Sequence, residues 1–229
     1  MKNVSIATDA FQNARKAYIS GNFSDAYKNW LILAEAGDRD SQAWIGSLYA
    51  NGEGVDRSDE KAFHWYLSAA KQNNYMAQSN IGAFYFMGRG VEKNVTEAVY
   101  WFSKAAEAGD LNSQFNLAVL YSKGEGVAED HEKATALYRK ASEMGHYPSQ
   151  SRLGYSYAHG KGVPKDRVQA YLWLSLASQH GIGTALDALE SVVKDMSLEE
   201  KTLGASLFEE WRTRTKSREG QLALNPTPT

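Results

Sequence analysis

The chain has 229 residues, of which 43% are hydrophobic and 23% are charged, so it can build a core and is not expected to be disordered. Its net charge of -2 offers no positive footprint for nucleic acid or for an anionic membrane. It contains no cysteine, which excludes disulfides and thiolate metal sites, and no apolar stretch reaches the roughly 18 residues of a transmembrane helix. We therefore expect neither a nucleic-acid partner nor membrane insertion.

A motif recurs along the chain with a period of 36 residues. The same residue type returns at this spacing in several independent sets, and such a period is the sequence signature of a repeat protein. The sets are Gln42, Gln78, Gln114 and Gln150; Tyr49, Tyr85, Tyr121 and Tyr157; Gly52, Gly88, Gly124 and Gly160; Gly54, Gly90, Gly126 and Gly162; and Val55, Val91, Val127 and Val163.

Each repeat begins with a predicted helix, which in the first copy runs from about Asp40 to Asn51. Ile45, Gly46 and Tyr49 lie on one face of this helix, because residues three and four apart share a face. A glycine inside a helix costs about 1 kcal/mol relative to alanine. The small residue at this position therefore predicts that a neighbouring helix packs closely against it.

The first helix is predicted to end at a Gly-x-Gly-Val turn. The first glycine suits the left-handed position after a helix, and the second lets the chain turn back without a side-chain clash. Acidic and amide residues after the turn suit the N-cap of the next helix. The predicted N-caps are Asp59, Asn94, Asp130 and Asp166.

The second helix of the first copy is predicted from about Asp59 to Gln72, with large aromatic residues such as Trp65 and Tyr66 beside small alanines. Glycine ends the later copies of this helix, and Asn73 replaces it here, because both residues tolerate the left-handed conformation. The predicted terminal glycines are Gly109, Gly145 and Gly181.

Two further helices are predicted near the C-terminus, at Ala185–Lys194 and at Ser197–Thr215. Ser197 and Glu200 have the spacing of a capping box, which marks the start of the last helix. Residues 217–229 lack periodicity, and we predict a flexible tail there.

The repeated pattern resembles the Sel-one-like repeat (SLR) family, a branch of the tetratricopeptide (TPR) superfamily, over residues 26–181, and the chain resembles a bacterial-type member. The resemblance implies an all-α, right-handed α-α superhelix (solenoid) that forms a single domain over residues 1–216. It also implies a divergent TPR-like first pair at 6–36, about four repeats at 37–181 and C-terminal capping helices at 182–216.

No constellation of catalytic residues is found. Gly-x-Gly occurs in each of the four repeat turns but never completes the dinucleotide-binding Gly-x-Gly-x-x-Gly pattern, and it follows a helix and not a strand. None of the five histidines has the spacing of a metal site. The sequence therefore predicts a protein that is not an enzyme and that holds no cofactor and no metal.

In TPR-like stacks the first helix of each pair lines the concave side, so the resemblance implies which residues face inward. Phe86, Phe115 and Tyr155 would be exposed there as anchors for a partner, or they would pack against neighbouring helices, and the sequence leaves both readings open. Asn116 is a candidate hydrogen-bond donor at the rim. The predicted partner-binding residues are Arg15, Tyr18, Ser47, Ser79, Ala83, Phe86, Phe115, Val119, Ser151 and Tyr155, with Ala43, Ala50, Ser122 and Ala158 at equivalent inward positions.

The predicted function is a non-catalytic scaffold or adaptor that binds a protein or peptide on the concave face. Two alternatives stay open: an immunity or inhibitor protein that neutralises a cognate toxin, and a cell-envelope assembly factor if the protein is exported. The first 20 residues hold no apolar run of signal-peptide length. The default location is thus the cytoplasm, with the periplasm or secretion as the alternative if a leader has been removed. We expect a monomer or a weak homodimer.

Overall fold

A computed structural model describes the backbone of residues 2–224 and the side chains of residues 9–215. All regular elements in this part of the chain are α-helices. They are α1 (Lys2–Ile19), α2 (Phe23–Glu35), α3 (Arg39–Asn51), α4 (Asp59–Lys71), α5 (Tyr75–Met87), α6 (Val95–Glu107), α7 (Leu111–Lys123), α8 (His131–Glu143), α9 (Tyr147–His159), α10 (Arg167–Ser178), α11 (Gly183–Lys194) and α12 (Leu198–Leu224). The prediction of an all-α helical repeat fold is confirmed.

The helices group into two compact units. The first consists of Met1–Leu120 and Gly124–Ala128, and the second of Tyr121–Lys123 and Glu129–Thr229. Inside the first unit, α1 packs on α2, α2 on α3, α3 on α4, α4 on α5 and α5 on α6. Inside the second unit, α8 packs on α9, α9 on α10, and α10 on both α11 and α12.

The first helix of every repeat ends as predicted. Its C-cap glycine is left-handed in all four copies, with φ between 67° and 74°, and its amide donates to the carbonyl four residues earlier. Asn73 has a φ of 61° at the end of α4, and no other non-glycine residue in the described backbone has a positive φ. The glycine and asparagine pattern therefore fixes where the helices stop.

The N-cap prediction was wrong for α4. Ser58 caps this helix by accepting a hydrogen bond from the Lys61 amide, whereas Asn94, Asp130 and Asp166 cap α6, α8 and α10 as predicted. Ser58 lies 36 residues before Asn94, so the repeat itself indicates the correct cap. Asp59, one residue further on, instead accepts two hydrogen bonds from Arg89, at 2.6 Å and 3.2 Å.

The repeated glutamines form identical hydrogen bonds. In each copy the buried side-chain Nε2 donates to the backbone carbonyl eight residues earlier, at 3.1–3.2 Å, in the last turn of the preceding helix. A buried amide needs such a partner. The four bonds tie Gln42 to Ala34, Gln78 to Ala70, Gln114 to Ala106 and Gln150 to Ser142.

The helical glycines allow the close packing that was predicted. A methyl group at Gly46 would lie 2.8 Å from the Tyr66 ring, and one at Gly82 would lie 2.6 Å from the Phe102 ring. In the second unit, a methyl group at Gly154 would lie 2.6 Å from Leu174. In these three repeats the first helix thus receives a large side chain of the second helix in the space that a Cβ would fill.

An aromatic cluster joins the first helix pair to the first repeat. Trp30 of α2 is fully buried and stacks on Trp44 of α3, with ring centroids 4.7 Å apart. Tyr18 of α1 packs against both indoles, at 5.7 Å and 5.1 Å. Aromatic rings bury large apolar areas, so this cluster anchors the divergent first pair to the rest of its unit.

Two helices follow the last repeat, and the predicted capping box is present. The Glu200 amide donates to the Ser197 hydroxyl, and the Ser197 amide donates to the Glu200 carboxylate. The last helix, α12, extends to Leu224, beyond the predicted start of the tail at 217, and no proline interrupts 217–224. The rest of the predicted tail, 225–229, lies outside the described residues. The capping role of both helices stays a prediction.

Candidate partner-binding surface

An apolar cavity of about 260 Å³ lies between α5, α6 and α7 in the first unit. Its rings and aliphatic side chains come from all three helices, and one amide, Asn116, supplies a polar group. Met87 at the end of α5 is 53% exposed, so the lining is partly in contact with solvent. The lining residues are Ala83, Phe86, Met87, Phe102, Asn116, Val119 and Leu120.

Three of the predicted partner-binding residues meet in this cavity. Ala83 and Phe86 come from α5 and Val119 from α7. All three are half-buried, and the ammonium of Lys93 lies 5.6 Å from the centroid of the Phe86 ring. Phe115 is also half-buried but does not line the cavity.

Other predicted residues take part in hydrogen bonds within the first unit. Ser79 donates to the Asp110 carboxylate at 3.0 Å and accepts from the Ser113 hydroxyl at 2.9 Å. Ser47 is hydrogen-bonded to the buried hydroxyl of Tyr66. These two serines therefore connect helices, and their side chains are already engaged before any partner binds.

The predicted residues on α1 differ from each other in their surroundings. Tyr18 is half-buried in the aromatic cluster and donates a hydrogen bond to Glu53 at 3.2 Å. Burial and the neighbouring Glu53 carboxylate raise the pKa of Tyr18 above its ordinary value. Arg15 is exposed, so it is the more accessible residue of this pair.

In the second unit, Ser151 is half-buried and Tyr155 is 40% exposed. The Tyr155 ring stacks on His159, with centroids 3.9 Å apart, and the Lys161 ammonium lies 5.6 Å from its centroid. Tyr155 and His159 line an open pocket of about 400 Å³ that also contains charged residues. Ala158, which was predicted to face inward, is buried, as is Ala43 in the first unit.

Met87, Phe102 and Leu120 were missed by reasoning from the sequence. A signal for Met87 exists in the repeat, because Asn51, Lys123 and His159 occupy the same position in the other copies. An apolar residue at a position that is otherwise polar marks a local change of surface. Phe102 and Leu120 are core residues that also contribute a surface to the cavity, which no periodic pattern indicates.

The described side chains contain no group of three or more histidine, cysteine, aspartate or glutamate residues that could hold a metal ion. Within the same part of the chain, no helix is long and apolar enough to cross a membrane. The cavity lining carries no ionisable side chain. Its chemistry is therefore that of apolar contact with one amide available for a hydrogen bond.

The profile of the Sel1 repeat matches residues 39–74, 76–110, 111–146 and 148–182, which correspond to the helix pairs α3–α4, α5–α6, α7–α8 and α9–α10. The chain belongs to the Sel1 repeat family. Sel1 repeat proteins are generally scaffolds for protein interactions and are generally non-catalytic.

Solved structures of other Sel1 proteins are similar to the chain. A protective antigen of uropathogenic Escherichia coli with an SLR fold is 31% identical, with a TM-score of 0.77 over 90% of this chain and 44% of that chain. The chain thus spans less than half the length of that relative. A Sel1 repeat protein from Oxalobacter formigenes is also 31% identical, with a TM-score of 0.73 over 78% of this chain and 74% of that one.

A Sel1 repeat protein from Klebsiella pneumoniae subsp. pneumoniae is 18% identical, with a TM-score of 0.53 over 82% of this chain and 93% of that one. At this identity the likeness extends to the fold alone. No protein with a curated function matches the sequence.

Proposed function

We propose that this Sel1 repeat protein is a scaffold that binds a protein or peptide partner through side chains on the first helix of its repeats. The observation that carries the proposal is the apolar cavity between α5, α6 and α7, because interface anchors insert into apolar pockets. A cavity of about 150 Å³ already holds a benzene ring. The volume of about 260 Å³ is therefore sufficient for one leucine or phenylalanine side chain of a partner.

The surroundings of the cavity favour a particular anchor. The lining offers rings and aliphatic groups, and Asn116 offers one amide to the partner's backbone. The Lys93 ammonium above Phe86 gives a cation at the edge. An apolar side chain followed or preceded by an acidic residue fits this arrangement, because the acid would lie near Lys93. Arg15 in the first unit is proposed as a further partner-binding residue, and Ser151 and Tyr155 are proposed as partner-binding residues of the second unit.

The test uses peptides selected from a random library on the immobilised protein, with affinities measured by calorimetry. Met87 and Met76 form a matched pair, since both are on α5 and are 53% and 47% exposed, but only Met87 lines the cavity. Met87→Ala should weaken binding about tenfold, as expected for the loss of a contact worth about 1.4 kcal/mol. Met76→Ala should change affinity less than about twofold.

Two results would overturn the proposal. One is that the selected peptides lack a common apolar residue, and the other is that the two methionine variants bind equally well. If neither result is found, capture of partners from the producing cells distinguishes an adaptor from an inhibitor. Several partners of modest affinity would indicate an adaptor, whereas one tight partner would indicate an inhibitor of that partner.

A further inference from the structure

A second pocket, different in chemistry from the apolar cavity, lies entirely within the second unit. It has a volume of about 400 Å³, within the range of small-molecule sites. One wall comes from α11 and presents Asp187, Ser191 and Asp195. The rest of the lining comes from α9, the loop that follows it and the start of α10, and it presents the stacked Tyr155 and His159 rings with Lys165 and Arg167.

The acidic wall follows from the spacing along α11. Asp187, Ser191 and Asp195 are four residues apart, so they lie on one face of the helix. The two carboxylates are separated by eight residues, or about 12 Å along the helix axis. Neither carboxylate forms an ion pair or a side-chain hydrogen bond with any other described residue. This wall therefore presents two unneutralised negative charges.

The basic part of the lining contains Lys165 and Arg167, which differ in their partners. Arg167 lies 3.5 Å from the Glu200 carboxylate, and that carboxylate also accepts from the Ser197 amide. Lys165 has no ion-pair partner among the described side chains. The pocket thus holds charges of opposite sign in one lining, and no ion pair joins Lys165 to Asp187 or Asp195.

We propose that this pocket binds a short peptide with free termini, with its ammonium group at the Asp187 and Asp195 wall and its carboxylate at Lys165. A ligand that carried only an anion would face two unpaired carboxylates, and one that carried only a cation would face Lys165. A zwitterion satisfies both walls. The Tyr155 ring and the methyl of Ala188 offer apolar contact to the ligand between its charges. This site does not depend on the apolar cavity of the first unit.

The experiment measures binding of trialanine to the full chain by NMR titration, in parallel with N-acetyl-trialanine and trialanine amide. Exposed ion pairs are modest in energy, so we expect removal of either terminal charge to weaken binding about three- to fivefold. In Asp187→Asn/Asp195→Asn, acetylation should have no further effect, whereas in Lys165→Gln amidation should have none. Both variants change exposed side chains and should keep the thermal midpoint of the wild type.

Glu190→Gln is the matched control, because Glu190 is an exposed acid of α11 outside the pocket lining. It should bind all three peptides as the wild type does. The proposal is overturned if trialanine does not bind saturably, or if acetylation weakens binding equally in the wild type and the double aspartate variant. Equal binding of trialanine amide and trialanine would likewise overturn it, since Lys165 would then have no role.

Discussion

Gly90→Ala should destabilise the first unit more than the same change at other left-handed glycines. Gly90 has a φ of 62°, and a Cβ there would overlap the backbone carbonyl of Asp59 in the preceding repeat. A left-handed alanine destabilises the folded state by roughly 1–2 kcal/mol. Replacing glycine also lowers the conformational entropy of the unfolded chain, which offsets about 0.4–1 kcal/mol of that loss. The overlap adds about 1–3 kcal/mol, because backbone cannot move aside as a flexible side chain can.

Alanine substitutions at Gly109 and Gly88 separate the cost of backbone strain from the cost of steric overlap. Gly109 has a φ of 95° and no atom within 4 Å of its would-be Cβ, whereas the Cβ at Gly88 would lie 3.2 Å from the Cβ of Lys93, which is a tight contact without overlap. Gly109→Ala should therefore cost about 0.5–1 kcal/mol, from backbone strain alone. Gly88→Ala should cost about 1–1.5 kcal/mol, and Gly90→Ala about 2–4 kcal/mol.

Thermal unfolding followed by circular dichroism provides the assay. For a chain of this size about 1 kcal/mol shifts the midpoint by roughly 2–4 °C, so Gly90→Ala should lower it by about 4–16 °C and Gly109→Ala by only a few degrees. Equal shifts in these two variants would refute the reasoning, because the contact between the Gly90 turn and the Asp59 backbone would then contribute nothing.

Two further predictions concern the polar groups. Gln42 uses both ends of its amide, since its oxygen accepts from Gln72, whereas the buried oxygen of Gln114 has no partner in the described structure. Gln42→Leu should therefore lower the free energy of unfolding, measured by chemical denaturation, by about 1–2 kcal/mol more than Gln114→Leu. Equal losses in the two variants would contradict this prediction. The hydrogen bond from Arg89 holds the pKa of Asp59 below its ordinary 3.8. The stability contributed by the Arg89–Asp59 pair is fully present above the ordinary pKa of Asp59 and is lost as the pH falls through its lower folded pKa. Asp59→Asn should therefore remove this contribution from the profile of stability against pH in acid. An unchanged profile would contradict a stabilising role of the pair.

The fold was predictable because its determinants are local and repeated. The glycines and Asn73 end helices through their own backbone conformation, and the 36-residue period brings each of them into register. The same period identifies Ser58, 36 residues before Asn94, as the cap of α4, whereas the acidic caps of α8 and α10 favour Asp59, which is one residue out of register.

The candidate site was less predictable, since it depends on contacts between distant parts of the chain. The position of Ser79 in the repeat predicts which face of α5 it occupies, but it does not predict the hydrogen bond from Ser79 to Asp110, 31 residues later. The cavity uses residues from three helices, and Phe102 and Leu120 serve the core as well. The charged pocket of the second unit depends on α11, which lies outside the four matched repeats and so carries no repeat signal.

Filling the apolar cavity tests the central claim most directly. Ala83 lines the cavity and is half-buried, so Ala83→Leu places added methyl groups in space that is already apolar. We expect its thermal midpoint to be equal to or above that of the wild type, while the affinity for a selected peptide falls about tenfold or more. A variant that is as stable as the wild type and binds the peptide with unchanged affinity would contradict the account, since the anchor would then lie elsewhere.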